Sequence, residues 1–219
     1  MVSVIICTYD GDHEYLPKAL ASCVVQDVPT EVIVIDDGSR EPLSYYVDKC
    51  VNLLADEFII NPTNLGLPAT RNKAISQASH DLILPLDADD FLYPNVLGAM
   101  IKAIQDYDVV FGNITQREDV LERPAGKDGL SKELFLKINP IFSTSLFRKS
   151  AWEKIGGYDK DNPYYLDYNA WIKMFVAGCR FRYLDKLIYR HTLRDDSMLM
   201  RVAKETDYWN EMAKKPLYE

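Results

Sequence analysis

Five short apolar runs, rich in β-branched residues, punctuate the first half of this chain, with stretches of helical spacing between them. Residues 2–7, 31–37, 57–60, 81–86 and 108–113 read as strands. Residues 15–26 place Leu16, Ala19, Leu20 and Cys23 on one helical face. Residues 42–54 and 94–106 read as further helices, and 64–78 as a loop entering another, with Pro68 suited to its first turn. Strands alternating with helices predict an α/β fold: a mostly parallel central sheet with helices on both faces. Such sheets bind ligands beyond the carboxyl ends of their strands. Those ends carry Tyr9 and Asp10, then Asp36 and Asp37, then Asp87 and Asp89. Topology alone therefore points to one acidic edge.

The 219 residues suit one domain with a buried core, and 47% apolar with 26% charged content is that of a globular chain. A net charge of −8 argues against general nucleic-acid binding and gives no attraction to anionic lipid. No window reaches about 18 apolar residues, so no membrane insertion is expected. The opening apolar run stops at Thr8 with no basic flank, and reads as a strand rather than a signal peptide. Cys7, Cys23, Cys50 and Cys179 form no C-x-x-C pair and are expected as reduced core thiols in a reducing cytoplasm. His13 and His80 lie in polar stretches and are expected to be solvated.

Beyond Thr115 the pattern loosens. Residues 117–129 hold Pro124, Gly126 and Gly129 and are expected as a mobile loop. Residues 142–147 read as a strand, 149–155 as a short helix and 167–177 as a stronger one. Residues 181–183 and 187–189 read as two short strands, and 198–214 as a terminal helix. Trp152 and Trp171 sit on apolar helical faces and are expected in the core.

The string LPLDADD leaves a strand and delivers Asp87 and Asp89 two residues apart. Mg²⁺ and Mn²⁺ prefer oxygen ligands and commonly combine one or two carboxylates with substrate phosphate. Taken alone the pair is equally readable as a solvated turn, with Asp90 capping the next helix.

Other segments bear on that choice. VSVIICTYD, VIVIDDGS, NPTNLGLPATRN and LDADD occur in order, each at a strand-to-loop junction, followed by GGYD, LDYNAW and YRH. Together they resemble the inverting glycosyltransferases of the GT-A (Rossmann-like) fold, and more narrowly glycosyltransferase family 2, over about residues 2–198. The resemblance implies one domain over 1–219, with a nucleotide-sugar-binding half at 1–114 and an acceptor-binding and C-terminal half at 115–219. It implies a nucleotide-sugar donor, with UDP favoured, and a glycan or other hydroxyl acceptor. Cys7, Thr8 and Tyr9 would line the base pocket, with Tyr9 stacking. Asp37 would accept from a base ring N–H, unless it merely caps the turn at Gly38. Asn64 and Gly66 fall in the nucleotide-binding loop, and Arg71 would meet the base or the phosphates. Asp89 would hold Mn²⁺ or Mg²⁺, Asp87 would reach the ribose or a metal-bound water, and His191 would approach the metal or pyrophosphate. Asp167 would be the catalytic base. The family usually has Glu-Asp at that base and Asp two residues later, whereas here stand Leu166-Asp167 and Asn169. The rivals are a sugar nucleotidyltransferase and a non-catalytic nucleotide- or glycan-binding module. The first should carry a glycine-rich basic loop after the first strand, and CTYDGDHEY has one glycine and no Lys or Arg. Oligomeric state is left open.

Overall fold

The computed structural model of the chain describes residues 1–41, 43, 45–117, 119–121, 129–194 and 206–218. Strand β1 (Val2–Thr8) lies between β2 (Thr30–Asp36) and β4 (Leu82–Asp87), parallel to both, and β3 (Glu57–Ile60) flanks β2 in the same sense. On the other side of β4 come β8 (Leu146–Arg148), β6 (Val109–Gln116), β9 (Phe181–His191) and β5 (Phe91–Leu92). The sheet order is β3-β2-β1-β4-β8-β6-β9-β5, with β7 (Asp119–Leu121) on β6. The parallel ladders are long, and the antiparallel ones at β5, β7 and β8 span two or three residue pairs each. The sheet is thus mostly parallel, as the alternation of strands and helices predicts.

Both faces are covered, which explains the almost unbroken burial of β1, β2 and β4. Val4 and Ile6 of β1 and Val32 and Val34 of β2 meet helices α1 (Leu16–Val24), α2 (Tyr45–Leu54) and α4 (Val96–Ala103). Ile5, Ile33, Ile35 and Ile83 face the opposite way. They meet α3 (Leu67–Gln77), α5 (Lys132–Lys137), α6 (Lys149–Lys154), α7 (Leu166–Val176) and α8 (Thr206–Lys214). Period-2 alternation thus sends neighbouring side chains into two separate cores. Trp171 is fully buried in the second, where Trp152 packs partly buried.

Four local expectations change. The two short strands at 181–183 and 187–189 are one strand, β9, running parallel to β6 across register shifts at Gly112–Asn113 and Asn113–Ile114. There Asn113 Nδ2 donates to Asp185 at 3.1 Å and Tyr183 Oη to Asn113 at 2.9 Å, so the polar interruption is absorbed rather than looped out. Gly112 sits where an added Cβ would lie 2.8 Å from the carbonyls of Leu184 and Lys186. The expected loop at 117–129 contains β7, while 118 and 122–128 lie outside the described residues. Helix α5 is not read from the sequence, where it lies in the stretch of loosened pattern beyond Thr115; Ser131 caps it, accepting from Leu134 N at 3.1 Å. Asp90 does not cap a following helix; it accepts from Thr192 N at 2.8 Å, since the chain enters β5 instead. Pro42 and residues 198–205 of the expected terminal helix lie outside the described residues.

Two of the sequence motifs grip each other. Asn72, from ATRN on α3, accepts from Tyr158 N at 2.8 Å and from the Trp152 indole at 3.1 Å, and donates to Tyr158 O at 2.9 Å. Tyr158 belongs to GGYD, where Gly157 has φ +82° and an added Cβ would lie 2.9 Å from Asn72 Oδ1. The glycine is required both by its backbone and by the amide it faces. Asn72→Ala strands two donors in a partly buried joint, and a loss of about 2–4 kcal/mol in unfolding free energy is expected. Urea denaturation measures it, and a loss below about 0.5 kcal/mol would show that the joint is not a structural clasp.

Candidate active site

Register builds the site. Cys7 on β1 lies between Ile35 on β2 and Asp87 on β4, and Thr8 lies opposite Asp36. The carboxyl ends of three strands therefore finish level, and their polar tails share one edge. The loop after β1 is tied to the loop after β2. Asp10 N donates to Ser39 Oγ at 2.8 Å, and Asp10 Oδ1 accepts from Arg40 N at 2.8 Å. His13, expected to be solvated, instead packs here with Nε2 3.0 Å from Ser39 Oγ and 3.6 Å from Asp36 Oδ2. Local polarity in sequence did not reveal this, because its partners come from β2.

The adjacent aspartates divide the work. Asp36 caps the turn, accepting from Ser39 N at 2.9 Å. Asp37, only 4% exposed, does not cap the Gly38 turn. It accepts from Asn61 Nδ2 at 2.8 Å, Leu65 N at 3.0 Å and Gly66 N at 2.9 Å, and so fixes the 61–66 loop. Exposed Asn64 accepts from Gly66 N at 3.1 Å, and Gly66, φ +84°, opens α3. Gly38, φ +71°, lets the β2 loop pass this segment: an added Cβ would lie 2.5 Å from the Thr63 carbonyl carbon.

Arg71 projects from α3 to the same edge. Its Nη2 donates to Asp87 Oδ1, and its guanidinium lies 5.8 Å from the centre of the Tyr158 ring. It is nearly fully buried, and Asp87 also accepts from Ser143 Oγ at 3.5 Å. A buried guanidinium without a carboxylate would be strongly destabilising, so the pair is a unit. Burial pushes the neighbouring Cys7 thiol up to about 12, leaving it protonated and no nucleophile. Thr8 Oγ1 is buried with no hydrogen-bond partner among the described residues, and Tyr9 N donates to Asp12 Oδ2 at 3.3 Å.

Asp167 lies in the first turn of α7 and joins this charge cluster from the second half of the chain. Burial raises its pKa above the ordinary carboxylate value. The Tyr168 N–H and the Arg71 charge oppose that rise, Asp87 adds to it, and Asn139, donating at 3.1 Å, opposes it. A carboxylate held this way is a better proton acceptor than a solvated one. The departure at Asn169 has a structural role, because its Nδ2 donates to Ala213 O at 3.2 Å and ties α8 to α7.

Asp89 is pushed up to about 6, first by burial, then by the carboxylates of Asp87 and Asp12, with Arg194 acting in the opposite direction. Arg194 was not singled out in the sequence, nor were Asp12, Asn139 and Ser143. They come from three segments distant in the chain, after β1, between α5 and β8, and after β9, and no spacing rule links them. His191 ends β9 with Nδ1 2.7 Å from Gln116 Nε2. Among the described residues, no three His, Cys, Asp or Glu side chains converge as a metal cage. The structure therefore does not gather Asp87, Asp89 and His191 into one cluster. No helix among the described residues is long and apolar enough to cross a membrane, and all four cysteines are free.

A mostly parallel sheet thus gathers acids from three strand ends, a buried arginine and a raised carboxylate from a later helix on one edge. The family model described as glycosyl transferase family 2 matches residues 3–161, and the chain belongs to that family. A glycosyltransferase of Methanocaldococcus jannaschii, itself uncharacterized, is 27% identical over 95% of this chain and 76% of its own length. Among solved structures, S. aureus TarS 1–349 in complex with UDP-GlcNAc superposes with a TM-score of 0.75 at 22% identity. This chain spans 59% of that structure, which covers 90% of the chain. The mannosyltransferase PcManGT of Pyrobaculum calidifontis, with GDP-Man and Mn²⁺, superposes with a TM-score of 0.69 at 16% identity, over 99% of this chain and 72% of its own. The enzyme class is glycosyltransferase and the fold is GT-A.

The raised pKa of Asp89 makes a stability statement. The folded chain holds that proton more tightly than the unfolded chain does. Asp89 therefore costs nothing below about pH 4 and progressively destabilises the fold as pH rises through about 4 to 6. Asp89→Asn, which keeps shape and removes charge, should stabilise the cation-free protein by about 1–2 kcal/mol near pH 7, and by nothing near pH 3.5. Urea titrations at the two pH values measure this, and equal effects at both would contradict it.

Proposed function

We propose that the chain is a divalent-cation-dependent, inverting glycosyltransferase. It moves a sugar from a nucleotide diphosphate donor, UDP-sugar first among them, to a hydroxyl of a glycan. The observation that carries this reading is the convergence of Asp167 with Arg71 and Asp87 in one charge cluster. Residues 1–114 would bind the donor and 115–219 the acceptor. The four free thiols suit a reducing compartment, and we place the reaction in the cytoplasm.

The donor set fits Mn²⁺ or Mg²⁺. Asp87 and Asp89 offer hard oxygen ligands, and Asp89 is raised first by burial and then by the carboxylates of Asp87 and Asp12, so carboxylate charge surrounds it. A site completed by substrate phosphates needs no three-residue cage. Once bound, a cation there would neutralise charge developing on the leaving diphosphate. The remaining work falls to the chain. Arg71 holds Asp87 in place from behind. Asp167, kept basic by burial and oriented by Asn139, takes the proton of the incoming hydroxyl. One base and in-line attack need no covalent intermediate, and inversion follows. The 61–66 loop, clamped by Asp37, and Tyr9 would line the base. Asp37 spends three of about four lone-pair directions on that clamp, leaving one for a ring N–H such as uracil presents.

Three outcomes are expected. Asp167→Asn should lower transfer by about 10²-fold or more while UDP affinity stays within about threefold. Loss of donor affinity instead would move Asp167 to the donor side. Turnover of UDP-sugars with Mn²⁺, and no turnover in Asp89→Ala, tests the enzyme reading. Tight UDP binding with no turnover on any acceptor would favour a binding module. Calorimetry should also find UDP bound at least about tenfold tighter than CDP. Equal affinities would remove Asp37 from base recognition.

A further inference from the structure

The cation reading leaves one basic side chain without a task. Arg194 follows β9, and its Nη1 lies 2.5 Å from Asp12 Oδ1 and 3.5 Å from Asp89 Oδ2. Its side chain is 9% exposed, and its guanidinium sits 4.8 Å from the centre of the Tyr15 ring. A tight ion pair, a looser one and an aromatic face all hold this group. The strap leading to it is tied down as well, since Thr192 N donates to Asp90 at 2.8 Å. Asp89 and Asp90 are adjacent, so the strap is attached to the same turn that the cation would approach.

We propose that Arg194 is a displaceable counter-ion latch: it holds Asp12 and Asp89 together in the cation-free enzyme and is released when a divalent cation takes Asp89. The inference rests on the reading of Asp89 as the cation ligand. A guanidinium 3.5 Å from Asp89 and a divalent ion on the same carboxylate would repel each other, and Arg194 has Asp12 as a second carboxylate to retain when it leaves the first. The looser of the two ion pairs is the one to Asp89, so that end opens first while Asp12 remains an anchor. Asp12 also accepts from Tyr9 N, so the latch joins the C-terminal strap to the loop that would carry the base. Loading the cation would therefore loosen residues 192–194 at the moment the donor has to enter. The latch also offsets part of the repulsion between Asp12 and Asp89 in the free enzyme.

The test uses Mn²⁺ alone on the nucleotide-free protein, by calorimetry and by the paramagnetic resonance signal of unbound Mn²⁺. Arg194→Gln should bind Mn²⁺ about tenfold tighter than the unmutated chain, because a competing unit charge is gone. Arg194→Lys, which keeps that charge, should stay within about threefold of the unmutated chain. In the unmutated chain, saturating Mn²⁺ should speed hydrogen exchange in the 187–194 peptide, and Arg194→Gln should show fast exchange without Mn²⁺. Equal or weaker Mn²⁺ binding by Arg194→Gln overturns the latch, as does exchange that Mn²⁺ leaves unchanged. If Asp89→Asn binds Mn²⁺ as well as the unmutated chain, the cation is not at Asp89 and the reading beneath the latch fails with it. If neither the unmutated chain nor Arg194→Gln binds Mn²⁺ alone, the latch is overturned, and repeating the titration with UDP shows whether the cation reading survives.

Discussion

The buried pair between Arg71 and Asp87 is the interaction on which the site depends. It crosses from α3 to the end of β4, and it fixes the position of the first carboxylate of LDADD. Burying a guanidinium is costly unless a partner is held at close range. The parallel register of β1 and β4 supplies that partner by finishing the two strands level. Around this pair the remaining groups find their charges: Cys7 stays a thiol, Asp167 is raised, and Tyr158 covers the guanidinium from the GGYD loop.

Carboxylates outnumber guanidinium groups along this edge. Asp12, Asp87, Asp89, Asp90 and Asp167 face Arg71 and Arg194. A fold does not accumulate such charge for stability, since each raised carboxylate weakens it near neutral pH. The excess makes sense for a site that works with a cation and a diphosphate, which bring charge of both signs. The internal acids serve differently. Asp37 spends its lone pairs on the 61–66 loop, and Asn72 clasps GGYD, so the rim is held by hydrogen bonds that need no ligand.

Much of this was legible along the chain. β-branched runs with helical spacing between them determined a mostly parallel sheet, because both backbone states have periods that a sequence displays directly. The ends of those runs located Asp37, Asp87 and Asp89 on one edge, and seven motifs in order identified the family. Less legible were elements too short or too irregular to show a period: α5, β7, and β9 read as two strands.

The sequence by itself determined which edge would gather the acids and which residues would stand near it. Only the tertiary structure decided what each of them does there. Asp36 and Asp37 are neighbours of the same type, yet one caps a turn and the other clamps a loop 24 to 29 residues away. Asn169, which in the family pattern would be an acid, ties α8 in place. Arg194 meets Asp12 across 182 residues. Hydrogen bonds and ion pairs are set by direction and distance in space, and strand pairing brings together groups that no local pattern connects. Periodicity can place a backbone; the partner of a side chain exists only once the chain has closed on itself.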